Sequence, residues 1–274
     1  MIMAVFIPKY KGPPLPDELF IEDAVRIVEE AEKLGIILRV IGALAIRIHS
    51  MDYAWLHNKL GRLGSGQTFS DIDFMCYGKH RGKLKKFFEG LGYIPDRYII
   101  TLFGDKRHIY YHPKGYYHID VFFDKLEFSH DVNFKGRLEL DKPTISLADL
   151  VLEKLQIHAI NEKDIKDLIV LFRAHELGDK DEDEIINAKY IAEVLADDWG
   201  FWYDATQNLD KLKKMLVKYA NEELVDSETL NNVMNKVDRL LQFIEEEPKT
   251  KRWMKRAKTG TKKIWYRPVE DLEV

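Results

Sequence analysis

The sequence predicts an α+β protein: a mixed sheet flanked by helices over residues 1–145, then an all-α domain over residues 146–274. Two observations carry this. Up to Asp141-Lys142-Pro143, short β-rich runs alternate with helical patterns, whereas from Ser146 onward one helical pattern follows another. A third feature is a charge asymmetry. The net charge is only −4, yet Lys249 to Arg267 holds nine Lys or Arg and no acid, so the rest of the chain is strongly acidic.

Composition narrows the class. At 274 residues the chain is one large domain or two of ordinary size, and 46% hydrophobic with 32% charged residues is a normal globular balance. No apolar run approaches the roughly 18–20 residues needed to span a bilayer, so no membrane partner is expected. The opening Met1-Ile2-Met3-Ala4-Val5-Phe6-Ile7 has no basic lead and runs into Pro8-Lys9, which argues against a signal peptide. A single Cys76 excludes an internal disulfide and suits a reducing cytoplasm.

In chain order, Pro13, Pro14 and Pro16 make an extended lead-in. Asp17 caps a helix to about Leu34, where Gly35 stops it; Phe20, Ala24, Ile27, Val28, Ala31 and Leu34 fall at helical spacing. Ile36 to Ile41 reads as a buried strand. Gly42-Ala43-Leu44-Ala45 then switches to a helix expected to reach His57. A strand, a glycine and a helix start together form a ready anion site, with backbone N–H groups and a positive dipole end. Residues 58–67 read as a mobile Gly-rich loop, and 79–88 as a short basic helix. Tyr98–Phe103, Arg107–Tyr111 and Tyr116–Phe123 are β-rich runs. Ser146 opens the helical half with a variant capping box to Asp149. Residues 164–174, 183–197, 202–221 and 226–245 are further helical stretches.

The chemistry is concentrated in Thr68-Phe69-Ser70-Asp71-Ile72-Asp73-Phe74. On a strand, i and i+2 share a face, so Asp71 and Asp73 project together while Ile72 and Phe74 turn inward. Paired carboxylates repel unless a cation lies between them, and a hard divalent ion with oxygen ligands, Mg²⁺ first and Mn²⁺ second, suits them. A later strand, His118-Ile119-Asp120-Val121, adds a third carboxylate, with His118 on its face. A phosphate-binding turn, a D-x-D strand and a third acid are what metal-assisted phosphoryl-type transfer needs.

Those residues resemble the nucleotidyltransferase superfamily built on the polymerase-beta-type fold. Its G-[GS] turn, D-x-D and later single Asp match Gly42-Ala43, Asp71-Ile72-Asp73 and Asp120. Within it the chain is similar to the AbiEii-type toxin group, through Lys154 and the stretch Lys163-Asp164-Ile165-Lys166-Asp167. The resemblance covers roughly residues 30–175. It implies a nucleotidyltransferase-like domain over 1–145, with Asp71, Asp73 and Asp120 as metal ligands and catalytic acids. It implies an NTP substrate with Gly42, Ala43, Ser70, Lys154 and Arg62 around it. An RNA acceptor such as a tRNA 3′ end and an antitoxin partner follow from the toxin likeness. Ala43 departs from the family, where Ser or Gly is usual, and a hydroxyl contact to phosphate is lost with it.

Alternatives stand beside several of these residues. Lys154 lies on an apolar helix stripe, either as a snorkelling lysine or as a charge on the nucleotide phosphates. Lys163 and Asp167 are spaced to pair on one helix face, and with Asp164 and His118 they are placed behind the site as supports. Arg62 on the loop is either solvated or a phosphate clamp. The Trp199-Gly200-Phe201-Trp202-Tyr203 cluster is either a helix-junction core or a base platform. Residues 249–267, with Trp253, Trp265 and Tyr266 among the cations, suit RNA contact, solvation or subunit docking. A fold of this type that has lost turnover and only binds a nucleotide or partner is the rival reading, as is transfer to a small molecule or protein.

Overall fold

The structure is a computed structural model that describes residues 8–63 and 66–268. The Met1–Ile7 stretch, read above against a signal peptide, and Gly64-Ser65 of the Gly-rich loop lie outside the described residues. The chain folds as two compact units that interleave in sequence. The first comprises Met1–Ala45, Leu63–Lys125 and Phe134–Ile145, the second Ile46–Arg62, Leu126–Asn133 and Ser146–Val274.

The first unit is built on a mixed sheet. Helix α1 (Asp17–Lys33) leads to β1 (Leu38–Ile41), and α2 (Gly42–His49) begins at the very next residue. Glycine is required there, because Gly42 has φ 74°. After α3 (Ala54–Leu60), which belongs to the second unit, come β2 (Asp71–Cys76), α4 (Arg81–Gly90), β3 (Ile94–Pro95) and α5 (Arg97–Phe103). Strands β4 (Arg107–Tyr111) and β5 (His118–Phe123) complete the sheet, in the order β1-β2-β5-β4-β3. Among the described strand pairs of this sheet, β2 and β5 run parallel and the others antiparallel. One sheet face is apolar: Leu38, Val40, Ile72, Phe74, Ile119 and Val121 are all fully buried. Phe88 of α4 stacks on Tyr110 with ring centroids 4.1 Å apart.

One expectation fails here. Tyr98–Phe103 is a helix, not a strand. Asp96 caps it, its carboxylate accepting from the Tyr98 and Ile99 N–H groups at 2.9 and 3.0 Å. That cap outweighs the β-propensity of an aromatic and β-branched run, which is a weak preference. The helix after Gly42 also stops early, at His49, and restarts at Ala54.

The second unit is helical, with two small two-stranded sheets. Strands β6 (Lys125–Glu127) and β7 (Asp131–Asn133) pair, as do β8 (Glu176–Gly178) and β9 (Ile185–Asn187). The helices are α6 (Leu147–Leu155), α7 (Glu162–Ala174), α8 (Ala188–Asp197), α9 (Trp199–Asn221), α10 (Ser227–Glu246) and α11 (Lys251–Ala257). Their starts follow side-chain caps. Ser146 Oγ accepts from Asp149 N at 3.3 Å and donates to its carboxylate at 2.7 Å. Asn161, Asn187, Asp198 and Asp226 cap the next four helices in the same way. The short pair β8–β9 was not foreseen, since three-residue strands leave too little periodicity to read. Among the described residues no helix is long and apolar enough to cross a membrane.

Candidate functional site

Register places the acids. In the parallel pair β2–β5, Asp71 stands opposite His118 and Asp73 opposite Asp120. Neighbouring strands lie about 4.8 Å apart, and cross-strand partners share a face. Asp71, Asp73 and Asp120 therefore occupy one patch of one sheet face. Its exposure is graded: Asp71 and Asp73 are half-buried, while Asp120 is buried. On β1, Ile41 pairs with Asp73, so the Gly42-Ala43 start of α2 adjoins the acids. Ser70 is exposed and its hydroxyl donates to Asp71 at 3.2 Å.

One member of the patch escaped the sequence reading. Arg107 on β4 donates from Nε and Nη2 to the two oxygens of Asp120, at 2.6 and 2.7 Å. His118 Nε2 stands 3.4 Å from the same carboxylate. Burial pushes Asp120 up, but the hydrogen bonds from His118 and Arg107 more than offset it and hold the carboxyl below its usual range. The hydrogen bond to Asp120 in turn raises His118 above the ordinary imidazole value. Nothing in β4 alone signals this role, because it depends on the β4–β5 register.

An oxygen-only donor set suits Mg²⁺ or Mn²⁺ chemically. As arranged, however, the acids do not form a finished site. Among the described residues no three His, Cys, Asp or Glu side chains converge on a common metal position. Arg107 fits that finding, since its fork engages both oxygens of Asp120. Asp71 and Asp73 are less enclosed than Asp120.

The other predicted residues gather in the second unit, around Asp167. This carboxylate is fully buried on α7 and meets Lys154 Nζ at 3.1 Å, Arg62 Nε at 3.0 Å and His57 Nε2 at 2.8 Å. Lys154 also pairs with Asp164 at 2.9 Å. Burial pushes Asp167 up, yet Lys154 and Arg62 hold it far below the usual carboxylate range. Burial pushes Lys154 down, yet Asp164 and Asp167 hold its ammonium above the ordinary lysine value. The Lys154 ammonium is thus buried against two carboxylates instead of snorkelling to the surface, and Arg62, its side chain 13% exposed, is held by Asp167. Lys163 is exposed and is not among the partners of Asp167 given above. The α7 surface pair expected from spacing is replaced by a buried cluster. His57 was missed too, a fully buried histidine between Leu56 and Leu60 whose partner lies 110 residues away.

Against known proteins, no protein-family model and no curated protein matches the chain. Among solved structures, the solution structure of the antibiotic-resistance factor ANT(2'')-Ia is similar at a TM-score of 0.35 and 15% identity. That match covers 57% of this chain and 83% of that one.

Proposed function

We propose that the protein is a metal-dependent nucleotidyltransferase, moving a nucleoside monophosphate from an NTP to an acceptor hydroxyl. RNA is the favoured acceptor, and the family resemblance extends the proposal to a toxin held by an antitoxin partner. The observation that supports it is the register of Asp73 with Asp120, beside Asp71 and next to the Gly42 turn.

In this reading Asp71 and Asp73 would hold Mg²⁺ or Mn²⁺, with Asp120 as the third acid of the patch. The metal would neutralise triphosphate charge. Asp120 takes the proton of the acceptor hydroxyl. The bond from that oxygen to the α-phosphorus forms as the bond to the bridging oxygen breaks, and pyrophosphate leaves. The first-turn N–H groups of α2, opened by Gly42 at φ 74°, face the departing phosphates. The cluster around Asp167 acts as a brace, since its cations are already neutralised by carboxylates.

A second reading has its own support. Arg107 on Asp120, together with Ala43 in the turn, suits a protein that binds a nucleotide without turning it over. Incubation with Mg²⁺, labelled NTPs and total RNA separates the two. Labelled RNA that disappears in Asp71→Ala is the expected outcome. Nucleotide binding without transfer to RNA, protein or a small hydroxylated acceptor overturns the transferase and leaves the binder.

A further inference from the structure

The basic segment after α10 lies wholly in the second unit, and it is fastened there. Asp204 of α9, 3% exposed, holds Trp265 Nε1 at 2.9 Å, together with His130 Nε2 at 2.7 Å and His158 Nδ1 at 3.0 Å. Arg256 sits 5.1 Å over the Trp199 ring and donates to the carbonyls of Gly260 and Lys263 at 2.8 and 2.9 Å. Arg267 N donates to the Ser129 carbonyl at 3.0 Å. Gly200 makes room, because a Cβ there would meet the Trp265 carbonyl oxygen at 2.6 Å. A segment held at this many points offers a preformed surface, so binding to it costs little ordering entropy.

Two features of that surface remain uncommitted. Lys251, Lys255 and Lys258 follow one another at helical spacing along α11 and its cap, on one face. Lys262 and Lys263 follow at the end of the next turn, Gly260–Lys262. All five are exposed, and none pairs with a carboxylate among the described residues. Beside them is a cleft of 1190 Å³ whose wall includes Lys255, Trp199, Trp265 and Tyr266. Three acids of that wall face two arginines, Asp197 and Asp198 sharing Arg252 and Asp131 meeting Arg267, and Arg256 and Lys255 add further positive charge. Tyr266 lies flat on His158, ring centroids 3.6 Å apart at 10°, and is half-exposed.

We propose that this face binds single-stranded RNA. Its phosphates lie along the lysine row and an unpaired base stacks at Tyr266. RNA rather than DNA rests on the nucleotidyltransferase reading above; the binding surface itself does not. Both terms tolerate any sequence, but phosphate attraction is salt-sensitive and stacking on an aromatic ring carries no counterion release. An anionic membrane would use the lysines alone, but insertion needs a broad apolar face. Among the described residues of this segment, only Met254 and Ile264 are exposed large apolar residues.

The test is fluorescence anisotropy of a labelled 12-nucleotide single-stranded RNA with the full chain, without NTP or metal, across a salt series. The triple variant Lys251→Gln, Lys255→Gln, Lys258→Gln is expected to bind at least about tenfold more weakly, with a log–log salt slope shallower by about 2. Tyr266→Ala is expected to lose about tenfold with the slope unchanged, and Tyr266→Phe to keep the affinity. Unchanged melting temperatures show that the variants fold. Affinity indifferent to both sets of changes, equal binding of duplex, or lysine-dependent binding of phosphatidylserine vesicles without RNA binding overturns the proposal. Because no NTP or metal is present, failure here leaves nucleotidyl transfer standing, and absence of transfer leaves RNA binding standing.

Discussion

Replacing Arg107 with Gln tests the acid patch most directly. Arg107 makes two charge-assisted hydrogen bonds to Asp120, at 2.6 and 2.7 Å. Its side chain is 28% exposed against 5% for Asp120. Removing one partner of a fully buried ion pair costs about 3–5 kcal/mol, and water reaching the arginine side lowers that to about 2–3 kcal/mol. In urea melts without divalent ions, Arg107→Gln should lose that much. If Asp120 is a metal ligand held in reserve, Mn²⁺ should repair the loss, because a cation at 100 times its Kd stabilises by about 2.7 kcal/mol. The variant should also bind Mn²⁺ about tenfold more tightly by titration calorimetry, since wild type must first displace Arg107. A destabilised variant that gains nothing from Mn²⁺, with affinity equal to wild type, would refute the argument and make Arg107–Asp120 a structural pair.

Asp167→Ala should cost about 3–5 kcal/mol by chemical denaturation, because it removes the buried partner of His57 and Arg62 and leaves Lys154 with Asp164 alone; combining it with Lys154→Met should cost less than the sum of the two. His108, held down to about 4 by burial, stays neutral in the folded chain while the unfolded chain takes up a proton near pH 6.5. Stability should therefore fall as pH drops from about 6.5 to 4, by up to roughly 3 kcal/mol, and His108→Gln should flatten that limb of a pH series of melts. Gly200→Ala should drive the segment around Trp265 off α9, read as a red shift in tryptophan emission with the far-ultraviolet circular dichroism retained.

Features that are settled within a few residues were legible before any fold was known. Alternation placed Asp71 and Asp73 on one side of β2 and Ile72 and Phe74 on the other, while Ser146 and Asp149 announced the start of α6. Such features depend on local sterics and side-chain caps, which each segment carries with it wherever it packs. The same locality misled at Tyr98–Phe103, where composition said strand and the cap at Asp96 said helix. Tertiary structure alone decided the pairing of distant charges. Arg107 reaches Asp120 only through the order β1-β2-β5-β4, and Asp167 draws Arg62 and His57 from 105 and 110 residues away, in place of the nearby Lys163. A buried carboxylate takes whichever cations the fold buries beside it, because leaving it unpaired costs more than any exposed helix-surface pair returns.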